Sequence, residues 1–213
     1  MGLEKMIGGG MMLYELQKTY GNNTPILFED ILKISGYSRS RVNQLISSWI
    51  ASKQLMRYSD GVFYIPTETP FGLSVIDDRQ VINRKYIENK NGRIGIYSGI
   101  KLFNLFGLTS QVPVNYEIVT NKETMRSREV LVGCSKIRLK KSRLTIDDSN
   151  YKIYQLLEVL NQIDVKDEIA IEKIIDYAKK NQLKYRDILS YLQFFPAKVA
   201  KNLNGTGLLN AII

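Results

Sequence analysis

The sequence predicts an α+β protein whose first part contains helices followed by a β-hairpin. Apolar residues recur three times at spacings of three and four before residue 51, which is the pattern of a helix with one buried face. Two runs rich in β-forming residues then flank the turn Ser59-Asp60-Gly61. An Asp-Gly pair between such runs is typical of a hairpin. Beyond residue 72, strand-like and helical segments are both present, so the fold is expected to mix the two element types.

Each of the three N-terminal helices has a recognisable end. The first ends at Gly21-Asn22-Asn23, and Gly36 ends the second. Ser38 is expected to cap the third helix, because a serine hydroxyl accepts a hydrogen bond from a free backbone N–H group of the first turn. The apolar face of the third helix contains Val42, Leu45, Ile46, Trp49 and Ile50. Strands are expected at 55–58 and 62–65, and this order of elements is that of a winged helix-turn-helix.

Two domains are expected, and their boundary is predicted in the proline- and glycine-containing segment Pro66–Gly72. In this interpretation residues 1–68 form the winged helix-turn-helix domain, and residues 69–213 form a mixed α/β domain. A mixed sheet extends to about residue 145 of the second domain, and helices follow from about residue 150. The strands of that sheet are expected at 114–120, 128–132 and 136–141.

The composition excludes several kinds of catalytic site. The sequence has no histidine and one cysteine, Cys134, which removes imidazole-dependent catalysis and the usual zinc sites. No glycine-rich segment precedes Lys-Ser or Lys-Thr, so the sequence has no phosphate-binding loop of the nucleotidase kind. We therefore expect no metal ion, no cofactor and no enzymatic activity. The lack of a long apolar run and of a signal peptide predicts a cytoplasmic protein without a membrane partner.

The face of the third helix opposite its apolar stripe has the composition of a DNA-contacting surface. No aspartate or glutamate occurs between Ile31 and Ser59, where a carboxylate would repel phosphates. Short hydroxyl, amide and guanidinium side chains are expected to contact the major groove, and two residues of the hairpin would contact DNA from the wing. The predicted DNA-binding residues are Ser38, Arg39, Ser40, Arg41, Asn43, Gln44, Ser47, Arg57 and Tyr58. The alternative interpretation is a polar face that contacts only solvent.

A second basic segment lies in the C-terminal domain of this chain, whose net charge is +9. Residues 67–144 contain 14 basic and seven acidic side chains. An alternating strand would place several of these cations on one face, where they could contact DNA phosphates beside the winged helix. The predicted members of this surface are Arg126, Arg128, Lys136, Arg138, Lys140, Lys141 and Arg143. The alternative is the solvated face of an exposed sheet.

The segment Ser98–Pro113, with the sequence SGIKLFNLFGLTSQVP, resembles the AbiEi family of antitoxins. The similarity is clearest in GLTSQVP, a turn that follows a helix in that family. Its matching residues are Gly107, Leu108, Thr109, Gln111, Val112 and Pro113. The winged helix before this turn and the basic strand after it occur in the same order, so the resemblance covers about residues 10–145. One departure is Ile100-Lys101, where the family has small residues.

The resemblance implies a type IV toxin–antitoxin system that protects against phage by abortive infection. The antitoxin would be a transcriptional repressor of its own promoter, where it binds inverted repeats in double-stranded operator DNA. Its second domain would counter a cognate nucleotidyltransferase-like toxin without requiring a stable complex. Two copies of the chain are expected to pair on the DNA, because the symmetry of an inverted repeat mirrors the pairing of the protein.

Two other functions fit parts of the sequence. A winged-helix transcriptional regulator without a toxin partner would have the same DNA-contacting features, and a neighbouring nucleotidyltransferase gene would distinguish the two cases. A carboxylate-dependent nuclease would need one of the acidic pairs Asp77-Asp78 and Asp147-Asp148. Both pairs lie where helix or loop caps are expected, and neither has a third ligand at a recognisable spacing. Capping is therefore the favoured role for both.

Overall fold

The chain is a mixed α+β protein, as the sequence predicts. The computed structural model describes residues 3–163 and 168–211. The chain divides into two units, Met1–Lys85 (unit 1) and Tyr86–Ile213 (unit 2). Within the described ranges, none of the helices combines the length and the apolar character that crossing a bilayer requires.

Unit 1 begins with the three helices that the periodicity predicts. They are α1 (Leu3–Tyr20), α2 (Phe28–Ser35) and α3 (Arg39–Ala51). Gly21 and Gly36 follow the first two helices with φ angles of 73° and 64°, a left-handed conformation that glycine adopts without steric strain. The predicted ends of α1 and α2 are therefore confirmed.

The predicted hairpin is also present, and it belongs to a small sheet. Strand β1 (Ile26–Leu27) precedes α2, while β2 (Met56–Ser59) and β3 (Val62–Tyr64) follow α3. The strand order is β1-β3-β2, and both pairings are antiparallel. Two-residue β1 was not predicted, because so short a segment has no periodicity. The core of unit 1 contains Met12, Leu16, Ile26, Ile31, Val42, Leu45, Ile46, Trp49, Leu55, Phe63 and Ile65.

The predicted linker Pro66–Gly72 is part of a second hairpin inside unit 1. It contains β4 (Glu68–Thr69) and β5 (Gly72–Leu73), which pair antiparallel. Asn23 Nδ2 donates to Thr67 Oγ1 at 3.0 Å, and Thr67 N donates to Ser74 Oγ at 2.8 Å, so this hairpin is joined to the end of α1. Helix α4 (Asp78–Ile82) and a π-helical turn (Asn83–Ile87) follow. The units consequently divide at Lys85 and Tyr86, beyond the predicted boundary between residues 68 and 69.

Unit 2 contains a four-stranded sheet with mixed pairing. After the short pair β6 (Glu88–Asn89) and β7 (Gly92–Arg93), the sheet strands are β8 (Gly95–Ser98), β9 (Tyr116–Thr120), β10 (Ser127–Val132) and β11 (Ser135–Lys141). Their order is β10-β11-β9-β8. Strand β11 pairs antiparallel with β10 and parallel with β9, and β9 pairs antiparallel with β8. The three longer strands confirm the predicted segments to within two residues.

The other elements in the described part of unit 2 are helices. Helix α5 (Gly99–Leu105) follows β8, and the C-terminal helices are α6 (Tyr151–Gln162), α7 (Glu168–Lys180), α8 (Tyr185–Leu192), α9 (Ala197–Gly205) and α10 (Leu208–Ala211). Every residue of α6 from Ile153 to Leu160 is buried, so this helix is the centre of the unit 2 core. Ile96 and Val119 of the sheet belong to the same core cluster.

Candidate nucleic-acid interface

The predicted DNA-contacting residues of α3 lie together on the exposed side of that helix. The apolar residues Val42, Leu45, Ile46 and Trp49 are buried in the unit 1 core, so the opposite side of α3 faces solvent. The exposed predicted residues are Ser38, Arg39, Ser40, Asn43, Gln44 and Ser47. An exposed row of hydroxyl and amide groups can donate and accept hydrogen bonds at base edges and phosphates.

Ser38 caps α3 as predicted. Its hydroxyl accepts a hydrogen bond from the backbone N–H of Arg41 at 3.3 Å, and its backbone is extended with φ −63° and ψ 153°. The half-buried Arg41 side chain donates to Gln44 Oε1 at 3.5 Å, so these two side chains lie next to each other on α3. The positive end of the helix dipole, with its N–H groups that lack intrahelical acceptors, adds to the charge of Arg41 there.

The predicted DNA-contacting face was expected to lack carboxylates, but one lies beside Arg39. Its Nη2 atom is 2.6 Å from Glu29 Oε1, and its guanidinium group lies over the Phe28 ring at 5.2 Å from the centroid. The interval of the sequence without carboxylates begins after Asp30, but the turn between α2 and α3 brings Arg39 back beside Glu29. Both side chains of this ion pair are largely exposed, at 68% and 70%, so its contribution to stability is about 0–1 kcal/mol.

The two predicted wing residues have different environments. Arg57 is exposed, 3.8 Å from the carboxylate of Asp60 in the turn, with its guanidinium group 5.5 Å from the centre of the Phe63 ring. Tyr58 is half-buried, and its hydroxyl donates to the Asp78 carboxylate at the start of α4. Arg57 is thus exposed at the hairpin, where a phosphate would compete with Asp60 for it, while the Tyr58 hydroxyl is engaged inside unit 1.

Most cations of the predicted second basic surface are in ion pairs. Lys136 lies 2.7 Å from Glu129, and Arg138 lies 3.3 Å from Glu129 and 3.8 Å from Glu117. Lys140 pairs with Glu117 at 2.5 Å, and Arg128 pairs with Glu123 at 2.5 Å. Only Glu129 belongs to the basic segment itself. The parallel pairing of β11 with β9 brings in Glu117, which no local sequence pattern associates with these cations.

These contacts lower the pKa values of two of the acids, Glu123 and Glu129. Burial raises the pKa of Glu123, but the hydrogen bonds from Arg128 and from the backbone N–H groups of Met125 and Thr124 outweigh it and hold the pKa below its ordinary value. The hydrogen bond from Lys136, with that from Arg138, lowers the pKa of Glu129. Both carboxylates are therefore ionised at neutral pH and neutralise part of the basic surface.

Arg126, Lys141 and Arg143 form the part of the second basic surface that has no acidic partner among the described residues. All three side chains are exposed. The Arg143 guanidinium group lies over the Phe195 ring, 5.5 Å from its centroid. The predicted surface consequently divides into a neutralised sheet face and a cationic group at the ends of β10 and β11.

The GLTSQVP segment forms an exposed turn after α5. Gly107 ends that helix with a φ of 69°, and the Lys173 ammonium group donates to its carbonyl oxygen. Thr109 Oγ1 accepts from Gln111 N at 3.2 Å, and Asn104 Nδ2 donates to Gln111 O at 3.0 Å. Leu108 packs against the unit 2 core, whereas Val112 is 85% exposed. The remaining motif residues are the exposed Gln111 and the half-buried Pro113. The segment thus has ordered backbone contacts and presents Gln111 and Val112 to solvent.

The two acidic pairs considered for a nuclease cap local structure. Asp77 Oδ1 accepts from Gln80 N at 2.8 Å at the start of α4. Asp147 Oδ1 accepts from the Ser149 backbone at 2.8 Å and from Asn150 N at 3.1 Å. The Ser149 hydroxyl, aided by these backbone N–H groups, lowers the pKa of Asp147. Within residues 3–163 and 168–211, no cluster of three or more acidic or cysteine side chains is arranged to hold a metal ion.

Comparison with known proteins gives a family and no activity. Residues 14–185 match the family of unknown function DUF6088, and the matched range includes both α3 and the GLTSQVP turn. No curated protein matches the sequence. The description of the family names no activity, so the antitoxin function implied by the AbiEi resemblance stays a prediction. The chain belongs to DUF6088, a family of unknown function.

Proposed function

We propose that unit 1 is a winged helix-turn-helix that binds double-stranded DNA through α3 and the β2–β3 hairpin. The observation that carries this proposal is the exposed side of α3, where hydroxyl, amide and guanidinium groups lie opposite four buried apolar residues. A helix with such a face fits the major groove, and a hairpin beside it suits contact with the backbone.

Each exposed group would have a definite partner. Asn43 and Gln44 would contact base edges, since amides pair with adenine through two hydrogen bonds. Phosphates would bind at the N-terminus of α3, where Ser38, Ser40 and Arg41 lie, and at Arg57 in the hairpin. Ser47 would contact the backbone further along the groove. Arg39 would exchange its Glu29 carboxylate for a phosphate, an exchange that costs at most about 1 kcal/mol because the pair is exposed.

We further propose that the chain is an autorepressor and an antitoxin. The resemblance of Ser98–Pro113 to the AbiEi family supports this step, together with the exposed Gln111 and Val112 of the turn. The operator would be an inverted repeat upstream of its own gene that binds two copies of the chain. Unit 2 would counter a nucleotidyltransferase-like toxin encoded beside it. A DNA-binding regulator without a toxin is the second candidate, since the α3 face alone supports it equally.

The amides of α3 should determine sequence-specific affinity. We expect Asn43→Ala/Gln44→Ala to weaken binding to a duplex of the chain's own upstream region by about 1–3 kcal/mol for each amide that pairs with a base. Fluorescence anisotropy of the labelled duplex, with an unrelated duplex alongside, measures the effect. The matched control is Gln17→Ala/Asn22→Ala, which removes the same two side-chain types from the exposed surface around α1. Equal weakening by both double variants would contradict the assignment of α3.

Glu29 should restrain DNA binding through Arg39. Glu29→Gln removes the carboxylate that neutralises Arg39, so we expect tighter binding to the same duplex and a salt dependence steeper by about 0.9 in log–log slope. The control is Glu15→Gln, which makes the same charge change on the exposed side of α1. If the two variants tighten binding equally, only net charge matters and Arg39 makes no phosphate contact.

Antitoxin activity should be separable from DNA binding. Co-expression with a nucleotidyltransferase encoded next to this gene, which the proposal requires, should arrest growth when unit 2 is absent and allow growth when the full chain is present. We expect Asn43→Ala/Gln44→Ala to protect cells as well as the wild type when both are expressed from an unrelated promoter. Growth arrest that the wild-type chain does not relieve would contradict the antitoxin function. The second candidate, a DNA-binding regulator without a toxin partner, would then remain.

A further inference from the structure

Unit 2 contains an open cleft of about 750 Å³ at the ends of β10 and β11, beside α6. Its lining includes Arg126, Lys141, Arg143, Tyr154, Glu158 and Asn161. The volume falls in the range of about 300–1,000 Å³ that is usual for sites of small molecules. All of these residues belong to unit 2, whereas the DNA-contacting face is proposed for unit 1.

Three cations of the cleft differ from those of the adjoining sheet, whereas a fourth, Lys140, pairs with Glu117. On the sheet, Lys136 and Arg138 are neutralised by Glu129 and Glu117. In the cleft, Arg126, Lys141 and Arg143 have no acidic partner among the described residues. Several positive charges in a concave site raise the local positive potential, which attracts an anion. The cleft therefore has the charge that a phosphate group requires.

A buried carboxylate on the α6 side of the cleft adds a different kind of contact. Glu158 is 5% exposed, and its Oε1 atom accepts from Ser98 Oγ at 3.0 Å and from Gln162 Nε2 at 2.7 Å. Both hydrogen bonds that the described residues make to this carboxylate use Oε1, which leaves Oε2 for a donor in the cleft. A carboxylate close to phosphate-binding groups would repel a bare phosphate, but it accepts well from the hydroxyls of a ribose.

Two neutral side chains, Tyr154 and Asn161, also line the cleft. The Tyr154 hydroxyl accepts from the Arg143 backbone N–H at 2.9 Å, which fixes its position. Burial raises the pKa of Tyr154 to about 12, so it keeps its proton at neutral pH and can donate it in a hydrogen bond. Asn161, half-buried on α6 and three residues beyond Glu158, offers an amide on the same side of the cleft.

We propose that this cleft binds a phosphorylated ribose, either free or as the sugar phosphate of a mononucleotide. Arg126, Lys141 and Arg143 bind the phosphate, and Glu158 and Asn161 accept from or donate to the sugar hydroxyls. The cleft is a small-molecule site that goes beyond the proposed recognition of operator DNA. A ligand bound there gives unit 2 a way to respond to a metabolite.

Isothermal titration calorimetry with the full chain tests this proposal. The probes are ribose 5-phosphate, AMP and inorganic phosphate, each titrated separately. We expect ribose 5-phosphate to bind at least about tenfold more tightly than inorganic phosphate, since only the sugar reaches Glu158. AMP and ribose 5-phosphate binding equally would assign the sugar phosphate as the ligand, and tighter AMP binding would assign a mononucleotide. Either result supports the cleft as a phosphorylated-ribose site.

The matched variants locate the site. Arg126→Gln/Lys141→Gln should weaken ribose 5-phosphate binding by more than about tenfold, because it removes two charge-assisted contacts. Lys136→Gln/Arg138→Gln removes the same number of charges from the ion-paired sheet face and should change the affinity by less than about twofold. Circular dichroism and thermal melting verify that both variants are folded. If Arg126→Gln/Lys141→Gln is not folded, the single variant Lys141→Gln replaces it.

Three results would overturn the proposal. One is the absence of heat from either sugar-phosphate probe at millimolar concentration. Another is an equal drop in affinity in the two double variants, which would mean that net charge alone attracts the anion. The third is displacement of bound AMP by a short DNA duplex of unrelated sequence, if Arg126→Gln/Lys141→Gln abolishes the binding of both AMP and the duplex. That result would assign the cleft to the nucleic-acid backbone.

Discussion

The positions of the carboxylates decide which basic surfaces of this protein can meet a polyanion. Thirty lysines and arginines are distributed over the chain, but a cation whose charge is neutralised by a neighbouring glutamate offers little to a phosphate. On the unit 2 sheet, Glu117 and Glu129 lie on either side of Arg138, so that face is nearly neutral. On the face proposed for unit 1, the ion pairs of the described residues are Arg39 with Glu29 and Arg57 with Asp60, and all four side chains are largely exposed. The proposed function depends on this contrast more than on the net charge of +9.

Helix α3 can present its polar side because its other side is held firmly. Four of its residues are buried in the unit 1 core, and Ser38 caps its first turn. Cations in a first turn oppose the helix dipole by roughly 0.3–1 kcal/mol each. Glu29 offsets this cost for Arg39 in the free protein, and a phosphate would offset it in a complex. The unfavourable position of these arginines is therefore consistent with a surface that is adapted to an anion.

Much of the fold was predictable because its signals are local. The periodicity of α1, α2 and α3, the glycines at 21 and 36, and the Asp60-Gly61 turn all act within a few residues, and each is confirmed. The alternation in β11 likewise predicted that its cations share one face, and Ile137 and Leu139, which alternate with them, are buried. At the candidate site, the sequence alone was sufficient to place the polar residues of α3 on one exposed side.

The remaining features depend on contacts between distant residues. Strand β1 exists only because Ile26 and Leu27 pair with β3, and the Pro66–Gly72 segment is ordered through Asn23. The pairing of Lys140 with Glu117 requires the parallel register of β11 and β9, which no local pattern reports. The cleft lies between the end of β11 and α6, and it could not be predicted because its lining residues are distant in the sequence. The one sequence signal for it was the row of cations from Arg126 to Arg143.

Hydrogen–deuterium exchange of the full chain, with and without a duplex of its own upstream region, tests the central claim most directly. The first N–H groups of a helix lack intrahelical acceptors and exchange readily, so a phosphate bound at the N-terminus of α3 would protect them. We predict that the duplex slows exchange at residues 38–44 and in the β2–β3 turn, and that an unrelated duplex does so much less. Protection concentrated in β10 and β11, with α3 unchanged, would contradict the proposed role of α3 and move the DNA contact to unit 2.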